Sequence, residues 1–220
     1  MKLPKMNEDK QKLVSSLIIP LSFIVLLWLI QIFQVIFDVS FIKLGLFPRR
    51  WTGLIGIITA PLIHAGFGHL FSNTVPLLFL GIGILYFYPK SGIKVFILVY
   101  FVPGIFVWLV ARPAFHIGAS GMVYGLVSFL FFSGLIRRDT RSIALALIVT
   151  FLYGGIIWGV VPQNDGISWE YHLFGSLTGI FCAFAYRKID PYKKYDWEDE
   201  EDDDEPEKLE ISHDKGFPFN

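Results

Sequence analysis

Three polar residues stand inside long apolar runs: Asn73, Ser120 and His172. A serine hydroxyl beside an imidazole is the pair that nucleophilic catalysis needs. The imidazole takes the hydroxyl proton, and the oxygen attacks an electrophilic carbon. An asparagine amide, or a second imidazole such as His69, can donate hydrogen bonds to the oxyanion that the attack creates. Polar groups within apolar spans are costly and call for a reason. Each has an ordinary reading when alone. A spanning serine commonly packs or bonds back to a carbonyl, an asparagine bridges helices, and a histidine serves as a structural bridge or a metal ligand.

Their depths coincide. Asn73 precedes Lys90 by 17 residues, Ser120 precedes Arg137 by 17, and His172 precedes Arg187 by 15. At ~1.5 Å per helical residue, all three sit ~22–26 Å from the basic ends of their segments. An apolar bilayer core is ~30 Å thick. One level, toward one side of the membrane, therefore carries a Ser, a His and an Asn from three separate segments. The flanks suit this. Ser120 lies between Gly118 and Gly121, and Gly121 with Gly125 forms one face of small residues four apart. Gly175 and Gly179 form a second such face after His172. Small faces of this kind let helices approach closely. His69 and Asn73 are four apart and share a helix face. Tyr124 is one turn beyond Ser120 on the same face, placed to orient an imidazole.

The segments that must position these groups are long and apolar. The chain has 220 residues, of which 54% are hydrophobic and 17% charged, and its mean hydropathy is +0.55. A soluble domain carries nearer a quarter of its residues as charge. Six runs are long enough to span, at about 13–37, 69–88, 93–111, 119–136, 142–161 and 170–187. Isolated spanning segments must be helical to satisfy their own backbone. The expected fold is an all-α integral membrane protein, a bundle of six transmembrane helices, over residues 1–195. Thirteen basic residues, including Lys90, Lys94, Arg137, Arg138, Arg141, Arg187 and Lys188, fall on one side of that threading. Only Lys43, Arg49, Arg50 and Arg112 fall on the other. Both termini are therefore expected in the cytoplasm, with the site level toward the outer side. Residues 38–67 carry aromatic and basic residues together and read as an interfacial outer loop.

Net charge is zero, yet 11 of the 19 acidic residues lie between Asp196 and Glu210. Residues 196–220 read as an acidic, disordered cytoplasmic tail, with a protein partner as the functional alternative. No basic arm suggests nucleic acid. Cys182, the only cysteine, reads as a small buried hydrophobe. The N-terminal basic residues lead into an apolar run without a cleavage site, so the first span is expected to remain in the membrane.

Three strings carry a family resemblance: His64-Ala65-Gly66-Phe67-Gly68-His69-Leu70-Phe71-Ser72-Asn73, Gly118-Ala119-Ser120-Gly121-Met122-Val123-Tyr124, and His172-Leu173-Phe174-Gly175. In order, spacing and host segment, the chain resembles the rhomboid intramembrane serine proteases over about residues 13–188. The resemblance implies Ser120 as nucleophile and His172 as base. It implies an oxyanion hole of His69, Asn73 and the Ser120 backbone N–H, with Tyr124 stacked on His172. His64 has a counterpart in the family and is read here as structural support. The implied substrates are transmembrane segments of membrane proteins in a lipid bilayer, cut without a cofactor. The expected location is a bacterial plasma membrane. The family's Trp-Arg pair three residues before an outer-loop Thr is absent; Ile55-Gly56 precede Thr59.

Two rival readings stand beside this one. A catalytically inactive scaffold of the same fold would bind membrane clients without cutting them. A zinc enzyme or transporter would use His64, His69, His116 and His172, but no HExxH string occurs. Asp165 and Glu170, near His172 in sequence, read as solvated loop residues, and residues 162–168 read as a mobile cap.

Overall fold

A computed structural model describes residues 8–162 and 166–192. Seven α-helices follow in order: α1 Glu8–Ile36, α2 Gly56–Thr59, α3 Phe67–Phe87, α4 Gly92–Val110, α5 Ser120–Arg137, α6 Thr140–Tyr153 and α7 Trp169–Ala185. Among the described residues there is no β-strand, only one antiparallel bridge between Leu46 and His116. Among the described residues, five helical stretches are long and apolar enough to cross a membrane; one of them joins α6 to a following 3-10 turn, Thr140–Val160. The sixth expected span, α7, has 17 residues. That gives it ~26 Å of length, at the lower limit for crossing.

The apolar pattern is turned outward. Phe79, Phe151 and Trp158 are exposed by 63%, 89% and 72%. A large apolar exterior of this kind suits hydrocarbon, not water. The interior is apolar too, so α5 is surrounded on several sides. It packs against α3, α4, α6 and most extensively α7. Leu70, Leu77 and Ile84 from α3, Val99 from α4, and Met122, Leu126 and Phe129 from α5 fill one core with Cys182 and Ala183 from α7. α1 packs on α3 at the flank.

One end of the bundle is fastened by Asp190, just past α7. Its buried carboxylate accepts from the Lys90 and Ser91 backbone N–H groups and from the Ser91 hydroxyl. Its carbonyl accepts from Arg137 and Arg141. The α3–α4 turn, the α5–α6 turn and the end of α7 thus share one polar knot. Capping reinforces it, since the Asp139 carboxylate accepts from the Ser142 N–H at the start of α6. The compact unit ends at Asp190. Residues 196–220, read above as an acidic tail, lie outside the described residues.

The other end carries the long loop between α1 and α3. It is built from the 3-10 turns Trp51–Ile55 and Ala60–Leu62 around α2. In place of a Trp-Arg pair before Thr59, Arg49 donates to the Ala111 carbonyl and Trp108 donates to the Arg50 carbonyl. Thr59 donates to the Leu44 and Ile55 carbonyls. Trp51, Ile55 and Ile58 are left exposed.

Candidate active site

Gly121, Gly125, Gly175 and Gly179 bring α5 and α7 together. A β-carbon on Gly175 would stand 2.1 Å from the Gly121 carbonyl oxygen, and one on Gly179 would stand 2.0 Å from that of Gly125. Nothing larger than hydrogen fits at either position. The two small-residue faces of the sequence are therefore one contact.

That contact fixes the polar pair. Ser120 opens α5, and His172 lies in the first turn of α7. Ser120 Oγ is 2.8 Å from His172 Nε2. His172 Nδ1 is 2.9 Å from the Gly159 carbonyl oxygen. A carbonyl oxygen only accepts, so Nδ1 must carry a hydrogen. In the neutral ring Nε2 is then bare and accepts the Ser120 hydroxyl. The Tyr124 ring stacks on the imidazole, with centroids 4.0 Å apart and planes within 5°. Its hydroxyl donates to the Ile156 carbonyl at 2.7 Å.

Of the donors expected for an oxyanion, His69 stands against the turn that leads into Ser120. Gly118, two residues before Ser120, has φ +103°, a region that L side chains rarely adopt. A β-carbon there would come 2.7 Å from His69 Cε1, so the His69 ring lies directly against this turn. Buried Asn73 donates one amide hydrogen to the His69 carbonyl at 3.0 Å. Its nitrogen carries a second hydrogen. Ser120, as the first helical residue, has a backbone N–H without an intrahelical acceptor. His64 packs edge-on to His69, with centroids 5.0 Å apart, and its Nε2 accepts from the Ala119 N–H at 3.4 Å. Burial, and next the neighbouring His69, hold His64 down at a pKa of about 4. His64 is therefore neutral at physiological pH and backs the Gly118–Ser120 turn.

One group departs from the sequence reading. Glu170 is not a solvated loop residue. It sits in the first turn of α7, 3% exposed, where its carboxylate accepts from the Arg112 N–H and pairs with the Arg112 guanidinium. Only packing reveals this, because the partners are 58 residues apart. His116 is also buried, and its nitrogens are engaged with the Ser168 hydroxyl and the Arg112 carbonyl. Burial pushes its pKa below the usual imidazole range. Arg112 further donates to the Ile167 carbonyl. The described residues before α7 are thus tied down, while Asp165, within the expected mobile cap, lies outside the described residues. The carbonyls of Gly159 and Ile156 were not foreseen. Glycines at 155 and 159, four apart in the fifth apolar run, were the available sign.

Comparison with known proteins bears on the same residues. Residues 51–189 match the Rhomboid domain, a stretch that includes His69, Asn73, Ser120 and His172. The "Uncharacterized protein Rv1337" of Mycobacterium tuberculosis is 35% identical over 177 residues, covering 74% of this chain and 72% of its own. The "Putative rhomboid protease YdcA" of Bacillus subtilis is 30% identical over 148 residues, covering 64% and 70%. "RHOMBOID-like protein 2" of Arabidopsis thaliana is 28% identical over 143 residues, covering 62% and 42%. With the domain matched over more than half its length and an all-helical bundle around these motifs, this chain is a multi-pass membrane protein of the rhomboid family.

Proposed function

We propose that this protein is a serine endopeptidase that cuts transmembrane segments of other membrane proteins inside the bilayer. The observation that carries the reading is the hydrogen-bonded line from Ser120 Oγ through His172 to the Gly159 carbonyl. It leaves the His172 lone pair facing the hydroxyl, which is the arrangement a general base needs.

In this mechanism His172 Nε2 takes the Ser120 proton as Oγ attacks the scissile carbonyl carbon. The Ser120 N–H, His69 and Asn73 stabilise the tetrahedral oxyanion. His172 returns the proton to the departing amine, and an acyl-enzyme remains on Ser120. Water then attacks the acyl carbon, giving a proton to His172. Collapse releases the carboxylic acid and restores the Ser120 hydroxyl. A transmembrane amide is shielded by its own helix, so substrates with Gly or Pro near the cut would unwind most readily. Purified wild-type protein and Ser120→Ala, each in liposomes with a single-span substrate, test this. Cleavage by wild type alone supports the reading; equal cleavage by both would end it.

The asparagine gives a kinetic prediction. Asn73→Ala is expected to lower kcat by about 10–10³, with little change in KM, because the donor acts mainly on the transition state. An unchanged kcat with a large rise in KM would make Asn73 a substrate-binding residue instead.

Both termini are proposed to face the cytoplasm. Lys90, Arg137 and Arg141 meet at the Asp190 end of the bundle, opposite Ser120 and His172. Basic residues of this kind mark the cytoplasmic side. A cysteine in the tail that reacts with an impermeant maleimide in intact cells would contradict this orientation.

A further inference from the structure

We infer that the Gly159 backbone carbonyl is a positioning group for His172, filling the place that a carboxylate holds in a Ser-His-Asp triad. It rests on the protease reading for its role in catalysis, though not for its geometry. α6 stops at Tyr153, and the chain continues as the 3-10 turn Gly154–Val160. A 3-10 turn has poorer internal hydrogen-bond geometry than an α-helix, so its carbonyls are more readily shared. Two of them are shared with the site. The Ile156 carbonyl accepts from Tyr124 and the Gly159 carbonyl accepts from His172.

Residue 159 must be glycine for this to happen. A β-carbon there would stand 1.9 Å from the Tyr124 hydroxyl oxygen and 3.2 Å from His172 Nδ1. The turn therefore lies against both rings. A neutral carbonyl also differs chemically from a carboxylate. It selects the Nδ1–H tautomer without adding a negative charge to a site bordered by lipid, where a charge is expensive. It can hold the ring, but it stabilises the imidazolium less.

The turn also has an exposed outer side. Ile157 and Trp158 are 64% and 72% exposed. Behind it is an apolar pocket of about 280 Å³, lined by Tyr124, Val127, Phe131, Tyr153, Ile156 and Val160 among others. The two hydrogen bonds tie the turn to α5 and α7. Tyr124 serves both ends, stacking on the imidazole while binding the turn. Movement of the outer end of the fifth span would release the His172 tautomer.

The test uses full-length protein labelled with ¹⁵N-histidine in liposomes, at about pH 8, where an ordinary imidazole is neutral. Nitrogen shifts distinguish the two tautomers, and His172→Ala identifies the signal. Wild type is expected to show His172 protonated at Nδ1. Gly159→Ala is expected to give a tautomer mixture and to lower kcat about 10–10³-fold, a part of the about 10²–10⁴ that a positioned base supplies. Gly155→Ala, where a β-carbon meets nothing within 4 Å, is expected to match wild type in both. An Nε2–H tautomer in wild type would overturn the inference, as would an unchanged tautomer and rate in Gly159→Ala. If that variant does not fold, Tyr124→Phe decides. It keeps the stacked ring and loses the Ile156 bond, so a partial tautomer shift and a kcat about 2–10-fold lower are expected, the size of one neutral hydrogen bond. No change in either would overturn it. Should wild type show the Nδ1–H form, lost in Gly159→Ala, but cleave nothing, the positioning stands and the protease reading falls.

Discussion

Gly175→Leu is expected to bring cleavage at least 10²-fold below wild type although Ser120 and His172 are both present. The reason is steric and local. The first added carbon already falls 2.1 Å from the Gly121 carbonyl oxygen, and that oxygen is backbone. No side-chain rotation can relieve the overlap, so α7 must move away from α5. Overpacking of this kind costs about 1–3 kcal/mol and the strain spreads through backbone shifts. His172 lies one turn before Gly175, so the displacement reaches the 2.8 Å bond to Ser120. A misplacement of ~1 Å can cost about 10² in rate. Gly83→Leu is the control, since a β-carbon there meets nothing within 4 Å. Initial rates in detergent, with thermal unfolding of each variant, check the result. Near-normal cleavage by folded Gly175→Leu would show that α5–α7 contact does not govern the site.

Ser120→Ala and His172→Ala are each expected to lower kcat/KM by about 10⁴ or more, and the double variant no further than the worse single one. Residues that act as one unit lose their effect together, because a base without its nucleophile has nothing to activate. The residue left would come from binding and from the donors of His69, Asn73 and the Ser120 N–H. Tyr124 has an assignment of its own here. Its ring stacks on His172 and so loses its partner in His172→Ala. Single and double variants measured on one substrate decide the matter. Losses that multiply would mean that Ser120 and His172 act independently.

Most of the bundle was legible in the sequence because hydrocarbon imposes one simple demand. Runs of ~20 apolar residues must be helical, so the segments 69–88, 93–111 and 119–136 fall within a residue or two of α3, α4 and α5. The Ser120–His172 pairing was legible through glycine, since the faces 121/125 and 175/179 specify which helices touch. The end of the fifth span was not. Ile156 to Val161 is as apolar as helix, and nothing in side-chain type announces a 3-10 turn. Gly159 acts through its carbonyl, a group every residue has. Glu170 looked like a solvated charge because sequence distance hides its pair with Arg112, made by packing α7 against the end of α4.

The claim at the centre of this account is that His172 activates Ser120. An alkyl fluorophosphonate reacts with an activated serine hydroxyl, forming the phosphorus–oxygen bond and releasing fluoride. Mass spectrometry of the labelled, full-length protein in detergent reads the site directly. The account predicts one phosphonyl group, mapped to Ser120, with labelling reduced to background in His172→Ala. Equal labelling of Ser120 in His172→Ala, or a phosphonyl group on a different residue of the wild-type protein, would contradict it.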